Sequence, residues 1–292
     1  MAEFVQAVWG GILVGSVYGL MAVGLTLIWG ALRLLNLAHG AMFIVGAYAA
    51  LAMVAVLNLP ILAGLLVGVI AAGLSGFIMH VVFIRPVLGK PGFDTATLIA
   101  TVGVSIALQA AALLVFGPSV KVVPEVMAGS FTVGGTLITA QGLLVIAVAV
   151  ILFVAINLFL RFSRHGMAIR AVSQQMEAAS LMAVPVERTY AIVMVLSSAL
   201  AGLAGVLLSS FFYLSPISGF NPMIQALIVT IFGGLGSVRG TIVAAYVVGT
   251  LGSFLQVYLG ASWALPGVFL FIIVVLIARP NGLFGLAEAR RL

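Results

Sequence analysis

The chain is 292 residues long, 64% hydrophobic and only 6% charged, with a formal net charge of +6. Soluble domains are about 45–50% apolar and about 25% charged, so too few polar residues are present here to cover a water-facing surface. Those values exclude a water-soluble fold, and the basic residues are too dispersed among loops to make a nucleic-acid surface.

The apolar stretches are continuous and rich in Ala, Leu, Val and Gly, without the alternation a membrane β-barrel needs. The expected fold is therefore all-α, a polytopic transmembrane helical bundle forming one domain over residues 1–292. At about 20 apolar residues per span, the length allows roughly eight to ten spans. In chain order they read as 8–31, 36–57, 61–84, 95–116, 141–160, 190–213, 222–238, 240–260 and 263–279. Asn58 and Pro60 separate two of them. Asp94-Thr95 can cap a helix start, and Asn221-Pro222 offers a cap followed by proline in the first turn. The 222–238 span is short and carries Gly233, Gly234 and Gly236, so a broken or re-entrant helix is one reading of it. Gly11, Gly15 and Gly19, then Gly64 and Gly68, then Gly236 and Gly240 repeat at four-residue spacing, which lets helix backbones approach closely in lipid. The N-terminal MAEFVQAV has neither a basic region nor a small-residue cleavage site, so no cleaved signal is expected.

One segment breaks the apolar pattern. Residues 161–189 hold four of the twelve basic residues and two of the six acids. If this island is cytoplasmic, alternation places eleven of the twelve basic residues on the same side and leaves only Lys121 outside. The positive-inside rule then puts the N-terminus outside and the C-terminus in the cytoplasm. Within the island, 168–183 favours a helix with Ile169, Val172, Met176, Ala179 and Ala183 on one face and Arg170, Gln174 and Glu177 on another. Such a helix can lie on the bilayer, connect spans through solvent, or dock in a partner's groove.

The chemistry that is missing is informative too. No acid falls inside an expected span, which argues against a proton relay. No phosphate-binding Gly-rich loop ending in Gly-Lys-Ser/Thr is present, so any ATP must be hydrolysed by another chain. There is no cysteine, and three scattered histidines suggest no metal site. Asn36, His39 and Gly40 read either as a gate or path-lining turn or as a helix-start cap with a hydrogen-bonded histidine. Gly233, Gly234, Gly236 and Gly240 read either as a broken-helix turn lining the path or as a tight connection. Gln109, Asn157, Gln225 and Gln256, polar residues within or beside spans, favour hydrogen bonds to neighbouring helices over contact with a solute.

The run Glu177-Ala178-Ala179, with Ala183 four residues beyond, resembles the EAA-x-x-x-G coupling loop of ABC importer permeases. The longer stretch RHGMAIRAVSQQMEAASLMAVPVERTYAIVMVLSSALAGLAGVL resembles the same loop and following helix in the branched-chain amino acid permease family. GLTLIWGALRLLNLAHGAMFIVGAYAAL (24–51), TIFGGLGSVRGTIVAAYVVGTL (230–251) and RPNGLFG (279–285) agree with that family in the same order. The N-terminal stretch is similar to the shorter, LivH-type, of its two paired permeases. The resemblance implies a transport subunit, not an enzyme, in a prokaryotic cytoplasmic (inner) membrane. It implies a heterodimer with a second related permease, two cytoplasmic ATPases holding ATP and Mg, and an external solute-binding protein, with no cofactor on this chain. It assigns Arg164, Gly166, Arg170, Glu177, Ala178, Ala179 and Leu181 to the ATPase contact, and it supports a path role for Asn36, His39 and Gly40. Branched-chain or other apolar amino acids are the expected solutes, with urea or short amides as the alternative within the family. A stand-alone ion-coupled secondary transporter is the alternative outside it. Two positions depart from the pattern: Ala183 stands in place of the usual Gly, and Ala41 stands where an acid is common.

Overall fold

A computed structural model describes residues 1–285 of the chain. Eight helices are long and apolar enough to cross a membrane, and a ninth apolar helix is shorter. In lipid each backbone N–H and C=O must be satisfied within the protein, so the apolar runs form helices nearly end to end. They are α1 (Ala2–Leu32), α2 (His39–Leu57), α3 (Ile61–Met79), α4 (Phe93–Phe116), α5 (Ala140–Phe162), α8 (Val186–Leu208), α9 (Phe220–Gly233), α10 (Val238–Leu259) and α11 (Ala261–Ala278). Between α5 and α8 lie the short α6 (Arg164–Gln174) and α7 (Met176–Leu181). The chain is a multi-pass helical membrane protein.

The glycine stripes set the packing. A methyl group at Gly11 or Gly15 would strike Thr250 or Ala245 and Tyr246, so α1 lies backbone to backbone against α10. Gly46, Gly68 and Gly202 bring α2, α3 and α8 to a common contact in the same way. With α1, α2 and α8 most enclosed, α4 and α11 lie at the periphery with apolar side chains facing outward.

Contacts sort the connections into two ends. At one, Arg33 donates to the Ser173 carbonyl, Arg85 pairs with Glu187, Gly30 faces Gly236, and the Phe284 N–H donates to Gly233. At the other, Thr136 donates to the Ala2 carbonyl, Gln141 donates to Ser210, and Lys121 pairs with Leu214 through two backbone hydrogen bonds. Among the described residues every Lys and Arg except Lys121 belongs to the first, basic end; Arg290 and Arg291 lie outside the described residues.

Several sequence expectations need correction. The 117–140 connection contains a hairpin, β1 (Ser130–Val133) with β2 (Thr136–Thr139). Its turn is Gly134-Gly135, both at positive φ (59° and 83°), the mirror-image turn that suits strand twist. Asp94-Thr95 and Asn221-Pro222 do not cap their helices. Gly92 and Gly219 hold those positions, and Asp94, Asn221 and Pro222 fall in the first turns. The second span does not begin at 36. Residues 33–38 are non-helical, and they run back alongside α1 instead of emerging at the basic end.

Candidate functional site

Arg33 ends α1 in a left-handed conformation (φ 55°), and the next five residues re-enter the bundle. The Nε2–H of His39 donates to the Met21 carbonyl at 3.0 Å. Met21 lies eleven residues before the end of α1, so α2 starts about 16 Å inside the basic end. Irregular backbone at that depth persists only when enclosed by protein, and Leu34, Asn36 and Ala38 are all buried. The Asn36 Oδ1 accepts the Ala38 N–H (3.0 Å), and the Leu37 N–H reaches the Thr101 hydroxyl (3.3 Å). His39 is thus hydrogen-bonded at mid-depth, while Ala38 holds the cap position of α2 without a side-chain bond and Asn36 braces the turn just before it. Gly40 packs against the Gly219 carbonyl, bringing the starts of α2 and α9 together. Ala41 is fully buried beside them, where a carboxylate would need a partner.

Gly233, Gly234, Gly236 and Gly240 are elsewhere. They form a tight connection between α9 and α10 at the basic end, capped by the chain after α11: the N–H of Leu283 donates to Phe232 (2.8 Å) and that of Phe284 to Gly233 (3.2 Å). A methyl at Gly234 would collide with Gly285, and one at Gly240 with the Gly233 carbonyl. The two groups of expected gate residues are therefore not brought into one site.

A cleft of about 670 Å³ opens at the opposite end, between α1, α9, α10 and α11. Along α1 its lining runs from Glu3 to Tyr18, a depth of about 22 Å at 1.5 Å per residue. Its polar members are Glu3, Gln6, Tyr18, Gln225, Ser253 and Gln256, and among the described residues no Lys, Arg or His lines it. A smaller hollow at the start of α9 shares Tyr18 and Phe212 with it. Gln225 and Gln256 thus face a cavity and, among the described residues, do not bond a neighbouring helix, contrary to the sequence expectation. Periodicity locates a side chain on its own helix but cannot show whether the facing surface is filled. Below the cleft the bundle is closed: Thr230 donates to the Ala22 carbonyl, and Thr26 bonds Thr241, hydroxyl to hydroxyl at 2.7 Å.

At the basic end the polar island folds as two helices instead of one. Gln175 is extended (φ −157°, ψ 108°), ending α6 and starting α7, and it turns the expected single face. Ile169, Val172 and Ala179 are buried as the pattern requires, whereas Met176 and Ala183 are exposed. Tertiary contact replaces the missing helical turn, with the Tyr190 hydroxyl against the Met176 sulfur (2.9 Å). Ser163 caps α6 through the Gly166 N–H (2.8 Å), and a side chain at Gly166 would strike the Phe159 carbonyl. Arg164, Arg170, Glu177, Ala178 and Leu181 are exposed; Gly166 and Ala179 face inward. The two most exposed apolar residues of the segment are Leu181 (87%) and Met182 (80%), and Met182 was not singled out from sequence. Ala183 has φ 57°. It closes α7 with its N–H on the Ser180 carbonyl and the Val184 N–H on that of Ala179, the paired bonds that favour glycine there.

Comparison with known proteins fits this arrangement. The family described as "Branched-chain amino acid transport system / permease component" matches residues 8–278. The chain is 29% identical to the high-affinity branched-chain amino acid transport system permease protein LivH of Escherichia coli K12 over 302 aligned residues, 99% of this chain and 97% of the relative. It is 29% identical to BraD of Pseudomonas aeruginosa, the permease protein of a like-named system, with 99% and 98% covered. A probable LivH permease of Methanocaldococcus jannaschii is 26% identical, with 94% and 91% covered. These relatives are transport components, not enzymes. Because the family match runs from the first turns of α1 to the last residue of α11, the chain belongs to the permease components of branched-chain amino acid transport systems.

Proposed function

We propose that this chain is one of two membrane subunits of an ATP-binding cassette importer for branched-chain or other apolar amino acids in a prokaryotic cytoplasmic membrane. Its N-terminus is outside and its basic end cytoplasmic. A second related permease completes the membrane unit, two ATPases hold ATP and Mg below it, and an external solute-binding protein delivers the solute to the cleft end. The observation that carries this reading is the α6–α7 segment: a small, ordered element at the basic end that presents Leu181, Met182 and Glu177 to solvent. Exposed apolar side chains beside charged ones on a rigid element suit a groove on a partner. ATPase closure that grips this segment favours one arrangement of the bundle through its differential contact.

The test uses the absence of native cysteine. A cysteine at Glu177 cross-links to a co-expressed ATPase, whereas one at Gly134 does not. In intact cells an impermeant thiol reagent labels the Gly134 cysteine, while the one at Glu177 reacts only after permeabilisation. Glu177→Arg abolishes most uptake while the permease remains in the membrane. Wild-type uptake in Glu177→Arg, or uptake driven by an ion gradient after ATP depletion, would falsify the assignment.

A further inference from the structure

The chain contains seven glutamines, and their surroundings divide them. Gln174 and Gln175 lie in the polar island. Gln109 donates to Ser105 in its own helix, and Gln141 accepts from the Val126 and Met127 N–H groups while donating to Ser210. The remaining three, Gln6 of α1, Gln225 of α9 and Gln256 of α10, come from three helices and all line the one cleft. None makes a side-chain hydrogen bond to the protein among the described residues, unlike Gln109 and Gln141. Gln225 is half-buried, where an unpaired amide is costly, and Gln6 and Gln256 are exposed to the cleft, so the amides are left to pair with whatever fills it.

We infer that Gln6, Gln225 and Gln256 mark a transit path that holds the head group of the solute in turn, first between Gln6 and Gln256 near the mouth and then at Gln225, about 16 Å deeper at 1.5 Å per residue, a proposal that rests on the permease reading above. Each amide offers a carbonyl oxygen to an ammonium and two N–H donors to a carboxylate, so each position along the path can take either end of a zwitterion. With no Lys, Arg or His in the lining among the described residues, nothing neutralises a net anion, and the one carboxylate is Glu3 at the mouth. Much of the remaining lining is apolar, including Leu13, Val14, Val257, Leu265 and Val268. The path therefore selects small net-neutral solutes with a polar head and leaves discrimination between apolar side chains undemanding. Neutral amide hydrogen bonds replace solute–water bonds at small net gain, which suits a site the solute must also leave.

The experiment uses the assembled transporter in proteoliposomes with an Ala264→Cys reporter on the apolar wall, the only cysteine in this chain. L-leucine applied to the cleft side slows modification of that cysteine by a thiol reagent several-fold. In Gln225→Leu/Gln256→Leu the protection disappears and uptake falls by at least about tenfold, the size expected when two polar contacts to a solute are lost, while ATP hydrolysis continues. Gln225→Asn/Gln256→Asn, which keeps the amides, retains part of both. If the leucine pair does not assemble, Gln6→Leu, at an exposed position, gives the same comparison. Full protection and full uptake in the leucine variants overturn the inference. Protection that depends on the glutamines but accompanies uptake independent of ATP removes the importer reading and leaves the transit path standing. ATP-driven uptake with an unprotected reporter removes the transit path alone.

Discussion

At Ala183 a single methyl group opposes the conformation its neighbours impose. Its φ of 57° places Cβ against the following carbonyl, at a cost of about 1–2 kcal/mol for an L-residue. Two backbone bonds hold it there, from its own N–H to Ser180 and from Val184 to Ala179, and Pro185 then prevents α7 from continuing. The usual glycine at this position relieves the strain, and the exposed site leaves no packing to lose. Ala183→Gly is therefore expected to stabilise the folded subunit by about 1 kcal/mol, less the extra entropy glycine loses on folding. Thermal unfolding of the detergent-solubilised protein checks this through an increased midpoint. An unchanged or lower midpoint shows that the turn is not strained. The departure was visible in the sequence as Ala in a glycine's place. Its meaning was not, because the sequence reading ran one helix through Gln175 and placed Ala183 on that helix's buried face.

Element contacts rest on glycine in some places and not in others, which gives a matched comparison. Gly46 of α2 meets the backbone of Gly202 in α8, so an added methyl has no flexible side chain to displace. Gly103 of α4 has nothing near its missing Cβ. Gly46→Ala should separate α2 from α8 and cost about 1–3 kcal/mol as overpacking does. Gly103→Ala should leave stability unchanged or raise it by up to about 1 kcal/mol through helix propensity. Equal midpoints for the two variants would mean that the α2–α8 contact is looser than described. Span positions were legible beforehand because runs such as 141–160 and 240–260 are uninterrupted and lipid admits little besides helix. The start of α2 was not, since residues 33–38 are apolar enough to pass for helix and only the His39–Met21 bond shows that they turn inward. The hairpin did carry a signal, Gly134-Gly135 between alternating residues, which the surrounding helices made easy to overlook. Of the candidate residues, those in 161–189 were found by composition. The unpaired state of Gln225 and Gln256 depends on the empty space between α9 and α10, which no local pattern encodes.

Across the whole molecule a layer of interhelical hydrogen bonds separates the cleft from the basic end. The cleft stops near Tyr18, and the next turns of α1 are held by Thr230 on the Ala22 carbonyl, His39 on Met21 and Thr26 on Thr241. Of these the last joins side chains of α1 and α10. Thr241 donates to the Ser237 carbonyl, so the Thr26 hydroxyl is the donor between them. If the importer proposed above opens toward the basic end by parting α1 and α10 there, this bond is lost in the open state. Interhelical hydrogen bonds in membranes contribute about 0.6 kcal/mol on average, so Thr26→Val, nearly the same size and leaving Thr241 still paired with Ser237, should raise the open population about threefold. A cysteine at Ala31, buried just below the layer, reports this as an equal rise in its rate of modification from the basic side. Thr241→Val should give a similar rise, and the double variant little more, because the same interhelical bond is lost in all three cases and the Thr241–Ser237 bond lies within α10. Additive effects, or a rate indifferent to both substitutions, would place the closure elsewhere in the layer and leave the His39–Met21 bond between α2 and α1 as the contact to examine.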